Sequence, residues 1–442
     1  MSPELSGTPE LCGTMLHMME INMAAKKILI SFTFFLSAFV IISLAADFCY
    51  VGRNASSDPS GPDWPGQPDF EVFWQTGKNA SQTIAEKTVS DDFPIYDKKE
   101  LFYHFRYTPI MAFMMIPFGN ISFTYASLFL WVLLANLALL FAIVLLRKNM
   151  KHFASFNGTV EYAVVWAAFM GTLRYYLMII GQGQTDTFVA LLLVLFLIAY
   201  TKNKEILCGI ILAFILQMKL FFLPCLVYFL LRGKIKLIIS TVISFAAFLF
   251  MPAAIIGMER TLILTKTWID MLGLSVPSQL VNFKNQSVSY GIFKVLSRFT
   301  ALPAKATIYA LSASLTVFLY IALSIFRKKL KDLGQNIQNY YDISIVILVS
   351  VLFSPISWEA YYVCLIIPIS LTLYLAMQND KKKLMFLFLA AYFVLSCVIG
   401  TDITKFIPGV NSFRFINISL GTSALTFVLL RSCSKAPKPS VR

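Results

Sequence analysis

Asp69 follows a Pro/Gly-rich turn and opens the stretch Asp69-Phe70-Glu71-Val72-Phe73-Trp74. A carboxylate beside aromatic groups can serve as a general base toward a hydroxyl, and the same Asp after Pro68 also reads as a helix N-cap. Arg106, in Arg106-Tyr107-Thr108-Pro109, has the planar fork that holds a phosphate, or else anchors the chain at a membrane interface beside Tyr103 and Tyr107. Lys219 lies in the middle of the apolar run Ile206 to Leu231, so its charge must be compensated, by an anion such as a lipid phosphate or by reaching an interface. The turn Gly181-Gln182-Gly183-Gln184-Thr185-Asp186 offers amides suited to a hydroxylated ligand, or is an ordinary hairpin connection. Two further polar segments, Asn282-Phe283-Lys284-Asn285-Gln286-Ser287 and Ser354-Pro355-Ile356-Ser357-Trp358-Glu359, interrupt apolar sequence.

The elements that must position these groups are set by composition. With 58% hydrophobic and 14% charged residues and a mean hydropathy of +0.72, the chain is an integral membrane protein. Ile28–Ala46, Ser122–Leu146, Leu237–Gly257, Ala306–Phe326 and Leu384–Thr401 are uncharged and each long enough to cross a hydrocarbon core of roughly 30 Å as a helix. This predicts an all-α polytopic bundle of about 12 spans.

The net charge of +14 comes from short basic clusters between apolar runs, at Lys26-Lys27, Arg147 to Lys151, Lys202 to Lys204, Arg232 to Lys236, Arg327 to Lys331, Lys381 to Lys383 and Arg431 to Lys435. They form no nucleic-acid patch and are read as cytoplasmic. That places Asp47 to Arg106 outside as one long loop after the first span, holding ten of the 23 acidic residues; loops of that length are usually functional. The assignment requires Tyr107 to Gly119 to dip in without crossing and Ile206 to Leu231 to break near Lys219. If both cross instead, Arg147 to Lys151 and Lys202 to Lys204 fall outside.

Residues 1–22 read as a disordered extension, with Met23 as an alternative start. Residues 23–435 form a single transmembrane domain, containing the 47–106 loop, and 436–442 form a cytoplasmic tail. Ile28–Ala46 is read as an uncleaved span, not a signal peptide. The seven cysteines are scattered, and three histidines in no metal-binding spacing predict no metal site.

Taken in order, the acidic residue beside aromatics in the first outer loop (Asp69), Tyr-x-Pro (Tyr107, Pro109), Gly-Gln (Gly181, Gln182), Gly then Lys in one span (Gly209, Lys219), Asn-Gln-Ser (Asn285 to Ser287) and Ser-Pro-x-Ser-Trp (Ser354 to Trp358) resemble glycosyltransferase family 87 (DUF2029). These are polyprenyl-phosphate-hexose-dependent enzymes of the C-type (GT-C) superfamily, and the resemblance covers roughly Ala46 to Leu375. One departure is that members often carry His shortly after that Trp, where this chain has Glu359-Ala360-Tyr361-Tyr362.

The resemblance implies transfer of a hexose, mannose foremost, from a lipid-linked donor to a lipid or glycan acceptor, with inversion. Asp69 would be the base, Arg106, Lys219 or Lys284 would hold the phosphate, and Tyr107, Gln182, Asn285, Gln286, Trp358 and Glu359 would line the substrate. No cofactor is expected, nor any nucleic-acid partner beyond membrane lipids and the substrates. The compact loops suggest a bacterial plasma membrane with the site facing the periplasm or exterior. The rival reading is a polytopic lipid or sugar transporter or flippase, which would spread charges through several spans and show internal symmetry.

Overall fold

A computed structural model describes residues 68–86, 95–96, 105–121, 125–150, 158–282, 284–301, 303–328, 330, 334–377, 382–399 and 417–435. The expectations for residues 1–22, the run Ile28–Ala46, most of the 47–106 loop and the 436–442 tail lie outside these residues. Among the described residues there is no strand. The helices are α1 (Pro68–Glu86), α2 (Pro109–Met114), α3 (Ile116–Gly119), α4 (Tyr125–Met150), α5 (Gly158–Gln182), α6 (Asp186–Thr201), α7 (Glu205–Met218), α8 (Cys225–Leu231) and α9 (Ile235–Phe250). There follow α10 (Ala253–Ile256), α11 (Met258–Leu280), α12 (Val288–Leu296), α13 (Ala304–Lys328), α14 (Gln335–Phe353), α15 (Ile366–Met377), α16 (Lys382–Phe393) and α17 (Asn417–Lys435).

Six helical stretches in this set are long and apolar enough to cross a membrane: Ser127–Met150, Glu161–Gln182, Ile235–Ile256, Ala304–Lys328, Gln335–Phe353 and Glu359–Met377. Three shorter apolar stretches, Asp186–Thr201, Glu205–Met218 and Leu220–Leu231, lie among them. The described residues do not complete the expected count of about 12. The spans are layered. The windows of Gln335–Phe353 and Glu359–Met377 are 83% buried within the protein, whereas that of Ile235–Ile256 is 11% buried, so α14 and α15 form the centre and α9 the periphery.

Both runs, Tyr107 to Gly119 and Ile206 to Leu231, are interrupted. Pro109 and Pro117 each sit in the first turn of a short helix. At 1.5 Å per residue, α2 and α3 together reach about 15 Å, half of what a crossing needs. The run Ile206 to Leu231 is broken, because α7 ends at Met218, Lys219 is extended (φ −143°, ψ 90°), and a 3₁₀ turn over Leu220–Phe222 precedes α8. Pro224 explains the position of the break. A proline inside a helix lacks the N–H for its bond and its ring clashes with the carbonyl four residues back, here Leu220.

The end of the bundle that carries the basic clusters is closed by Asp342 on α14. Its carboxylate accepts hydrogen bonds from Tyr228 (2.6 Å), Arg327 (3.1 Å) and Tyr200 (3.2 Å), joining α6, α8, α13 and α14. The functional groups gather at the other end of α6.

There α1, which carries Asp69, docks by two means. Phe70 and Phe73 pack against Trp131 with ring centroids 5.6 and 5.5 Å away, and Phe73 also meets Tyr107 at 5.2 Å. Farther along, Gly77 faces the backbone of Met115 and Gly119 faces that of Lys78, so the helices touch main chain to main chain.

A methyl group at Gly77 would lie 2.2 Å from the Met115 carbonyl oxygen, which no side-chain movement relieves. Overpacking of this kind costs about 1–3 kcal/mol, against a gain of about 1 kcal/mol in helix propensity. Gly77→Ala is therefore expected to lower the apparent melting temperature of the detergent-solubilised protein and to weaken whatever activity depends on Asp69, whereas Lys78→Ala, at the exposed neighbouring position, leaves both near wild type.

Candidate active site

Asp69 is the second residue of α1 and lies inside the helix, not at its N-cap. Its Oδ2 accepts a 2.7 Å hydrogen bond from Gln184 Nε2, and the same amide donates to Gln182 Oε1 at 2.9 Å. Gln184 is held by the turn between α5 and α6. Gly183 adopts φ 71°, the left-handed conformation that glycine reaches without strain. Its carbonyl accepts from Trp131 Nε1 at 2.9 Å, so the aromatic residue that seats α1 also fixes the turn that orients Asp69.

Two residues beyond Gln184, Asp186 opens α6 fully buried. Its Oδ2 is 3.1 Å from Lys219 Nζ, and Lys219 is itself 7% exposed. The compensation that Lys219 requires is thus supplied within the fold, by a carboxylate at the head of the neighbouring helix. Lys219 makes this contact from the break itself, where its backbone is extended between the end of α7 and the turn that follows. Aromatic faces complete its surroundings: the Tyr361 ring centroid is 4.6 Å and that of Tyr107 5.5 Å from Nζ. The Tyr107 hydroxyl lies 3.1 Å from Thr185 Oγ1.

Arg106 is half-buried just before α2, with its carbonyl accepting from Trp268 Nε1 on α11 at 3.0 Å. Its Nε is buried without a hydrogen-bonding partner among the described residues. Burial pushes the Asp69 carboxyl above its usual value. The Gln184 hydrogen bond, Lys219 and Arg106 oppose that rise, and Asp186 adds to it. Burial likewise draws Arg106 down, opposed by Tyr361, Asp69 and Tyr107.

Asp69, Arg106, Tyr107, Gln182 and Lys219 therefore converge on one site. The others are placed elsewhere or engaged otherwise. Lys284 is half-buried and is not among the cations that act on Asp69. Asn285 spends its whole amide on the fold: Nδ2 donates to the carbonyls of Leu280 (3.0 Å) and Pro355 (2.9 Å), and Oδ1 accepts from the backbone N–H of Ser287 (3.0 Å) and Ser357 (2.9 Å). The Gln286 backbone N–H donates to Ser357 at 2.7 Å, closing the same junction. The Trp358 carbonyl accepts from the Tyr361 N–H at 3.0 Å. Glu359 is buried and paired with Arg174 at 3.1 Å, and Arg174 also donates to the carbonyls of Ser396 and Ile399. Among the described residues no group of His, Cys, Asp and Glu could hold a metal ion.

Gln184, Asp186 and Tyr361 join the site although no individual role was assigned to them from the sequence; Gln184 and Asp186 lie in the turn noted for its amides, and Tyr361 in the segment where the chain departs from the family pattern. For Asp186 a further signal existed: it begins an apolar run just as Lys219 sits within one, and two isolated opposite charges in apolar sequence are natural partners.

The fold and this cluster define a multi-pass membrane protein with two carboxylates and two cations gathered where a proline-interrupted segment meets a broken helix. The sequence model of glycosyltransferase family 87 matches residues 105–355, more than half of the chain, and the protein belongs to that family. It is accordingly a glycosyltransferase. The matched region holds Arg106, Tyr107, Gln182, Lys219, Lys284, Asn285 and Gln286; Asp69 precedes it and Trp358 and Glu359 follow it. No curated protein matches the chain.

Removing one member of a buried ion pair costs about 3–5 kcal/mol because the other charge is stranded. Lys219→Met is expected to destabilise the protein by that amount, and Lys219→Met with Asp186→Leu to recover most of it. Apparent melting temperatures in detergent check this. If the double variant is as unstable as the single, Asp186 is not the main counter-charge of Lys219.

Proposed function

We propose that the protein is an inverting hexosyltransferase that moves a sugar, mannose foremost, from a polyprenyl phosphate carrier to a hydroxyl of a lipid-linked or glycan acceptor on the extracytoplasmic side of a bacterial plasma membrane. The observation that carries this reading is the convergence of Asp69, oriented by Gln184, with Lys219 and Arg106 in a chain of this family.

In the proposed reaction the acceptor hydroxyl attacks the anomeric carbon. The bond from that carbon to the carrier's phosphate oxygen breaks, its electron pair stays on the phosphate, and the hydroxyl proton passes to Asp69. Gln184 occupies one carboxylate oxygen of Asp69, and the other is the one assigned to the acceptor proton.

Charge supports the assignment. Asp69 and Asp186 balance Arg106 and Lys219, so the empty site is close to neutral. As the phosphodiester monoanion becomes a monoester dianion, protonation of Asp69 removes one negative charge from the site while the leaving group gains one. The total does not change during the step, and Lys219 and Arg106 act on the charge where it develops. The leaving group is already a stabilised phosphate and needs no divalent ion in this scheme.

With radiolabelled sugar on polyprenyl phosphate and membranes containing the protein, Asp69→Asn is expected to lower kcat by about 10²–10⁴ at an unchanged apparent melting temperature. Transfer at wild-type rate by that variant sinks the assignment of Asp69.

Because burial raises the Asp69 carboxyl, the acid limb of kcat/KM should lie above the ordinary carboxylate value of about 3.9. Gln184 holds the carboxyl down, so Gln184→Leu should move that limb to higher pH; a limb that stays in place argues that another group titrates. Transfer should also persist in EDTA, and its abolition there would overturn the metal-free scheme.

A further inference from the structure

Tyr361 occupies a position that its place in the sequence does not announce. It follows Trp358 on the 3₁₀ turn Glu359–Leu365, whose three-residue repeat lays its N–H on the Trp358 carbonyl at 3.0 Å. Its ring stacks on Phe221 with centroids 4.3 Å apart and planes 11° from parallel. Phe221 belongs to the turn that breaks the chain directly after Lys219. The ring and the ammonium are thus presented by one another's supports, and the 4.6 Å approach of Lys219 Nζ to the ring fixes their relative height.

Arg106 lies within electrostatic range of Tyr361, Asp69 and Tyr107, so Tyr361, in contact with Lys219, has both cations of the site as neighbours. The neighbouring tyrosines have their hydroxyls engaged: Tyr107 with Thr185, and Tyr362 with Ser357 and the Gln286 carbonyl. The Tyr361 hydroxyl has no hydrogen-bonding partner among the described residues, and the residue is half-buried.

We propose that Tyr361 is a third phosphate-binding residue, whose hydroxyl donates a hydrogen bond to a phosphate oxygen of the lipid-linked donor held between Lys219 and Arg106. This rests on the transferase reading above. A phenol suits the position because the stacked ring has no rotamer freedom left to lose, and because its O–H supplies direction to a site whose ammonium is a nondirectional point charge. It carries no charge of its own, so it adds a donor without upsetting the balance of Asp69 and Asp186 against Arg106 and Lys219. The bond strengthens as the phosphate oxygen gains charge during transfer, which makes Tyr361 a contributor to kcat as well as to donor binding.

The test is Tyr361→Phe, which keeps the ring, the stack on Phe221 and the contact with Lys219. Binding of polyprenyl phosphate and of uncharged polyprenol to the purified protein is measured by native mass spectrometry, beside steady-state transfer. The expected result is polyprenyl phosphate binding weakened about 5- to 20-fold with polyprenol binding unchanged, and kcat lowered about 10- to 100-fold with the acceptor KM unchanged, in line with the loss of one hydrogen bond to a charged group. Equal phosphate binding by Tyr361→Phe and wild type overturns the proposal, as does equal loss for phosphate and polyprenol, which marks a structural role. A wild-type protein that does not prefer the phosphate over polyprenol removes the phosphate site altogether. A wild-type protein that binds the phosphate in a Tyr361-dependent way yet transfers no sugar leaves this inference standing and overturns the proposed reaction.

Discussion

An ammonium group in the middle of an apolar run is the constraint around which this molecule is arranged. Leaving Lys219 uncompensated in a low-dielectric interior would cost several kcal/mol, so the chain must bring a carboxylate to it. It does so with Asp186 at 3.1 Å. Lys219 makes that contact from the break after Met218, where its backbone is extended, and Pro224 keeps the following turn from continuing as a regular helix on the carbonyl of Leu220. The same turn presents Phe221, and through it Tyr361, so one local interruption of a helix determines the electrostatics and the aromatic walls of the site together.

The candidate base arrives by a different kind of force. Asp69 is drawn in by the hydrophobic docking of its own helix, with Phe70 and Phe73 against Trp131 and Gly77 against the Met115 backbone, and not by attraction to a cation. Its one close polar partner among the described residues, Gln184, is neutral. Lys219 and Arg106 act on it from farther off and keep its carboxylate ionisable in spite of burial. A directly paired carboxylate would be a poor base, because the ion pair would have to break before a proton could be accepted. Separating the Lys219–Asp186 pair from the Asp69–Gln184 pair lets one carboxylate balance charge while the other remains available.

The two ends of α6 are built for opposite purposes. At the far end Asp342 is saturated by Tyr200, Tyr228 and Arg327, which ties four helices and leaves its carboxylate nothing further to do. At the near end the polar groups are only partly satisfied: Arg106 Nε lacks a partner among the described residues, as does the Tyr361 hydroxyl. The polar junction of Asn285 with Ser357 resembles the closed end in chemistry, since both the nitrogen and the oxygen of its amide are used internally. Its part is to hold the 3₁₀ turn that carries Tyr361.

Whether the segment after Tyr107 crosses and whether the Lys219 run breaks stayed open in the sequence, but composition and local pattern by themselves determined that the protein is helical and membrane-embedded, and that proline punctuates the segment after Tyr107. These follow from one-dimensional physics: the cost of exposing polar backbone to lipid, the geometry of proline, and the length of a hydrocarbon core. The ordered motifs were enough to indicate the family. The tertiary structure alone decided who partners whom. That Lys219 needs an anion is written in the sequence, but that the anion is Asp186 depends on how α6 and α7 rotate against each other. Asn285 and Tyr361 show the same limit from opposite sides: a polar motif residue is consumed by the fold, and a tyrosine given no role from the sequence packs against Lys219. Side-chain partnerships across helices are fixed by packing angles and rotamers that no spacing along the chain encodes.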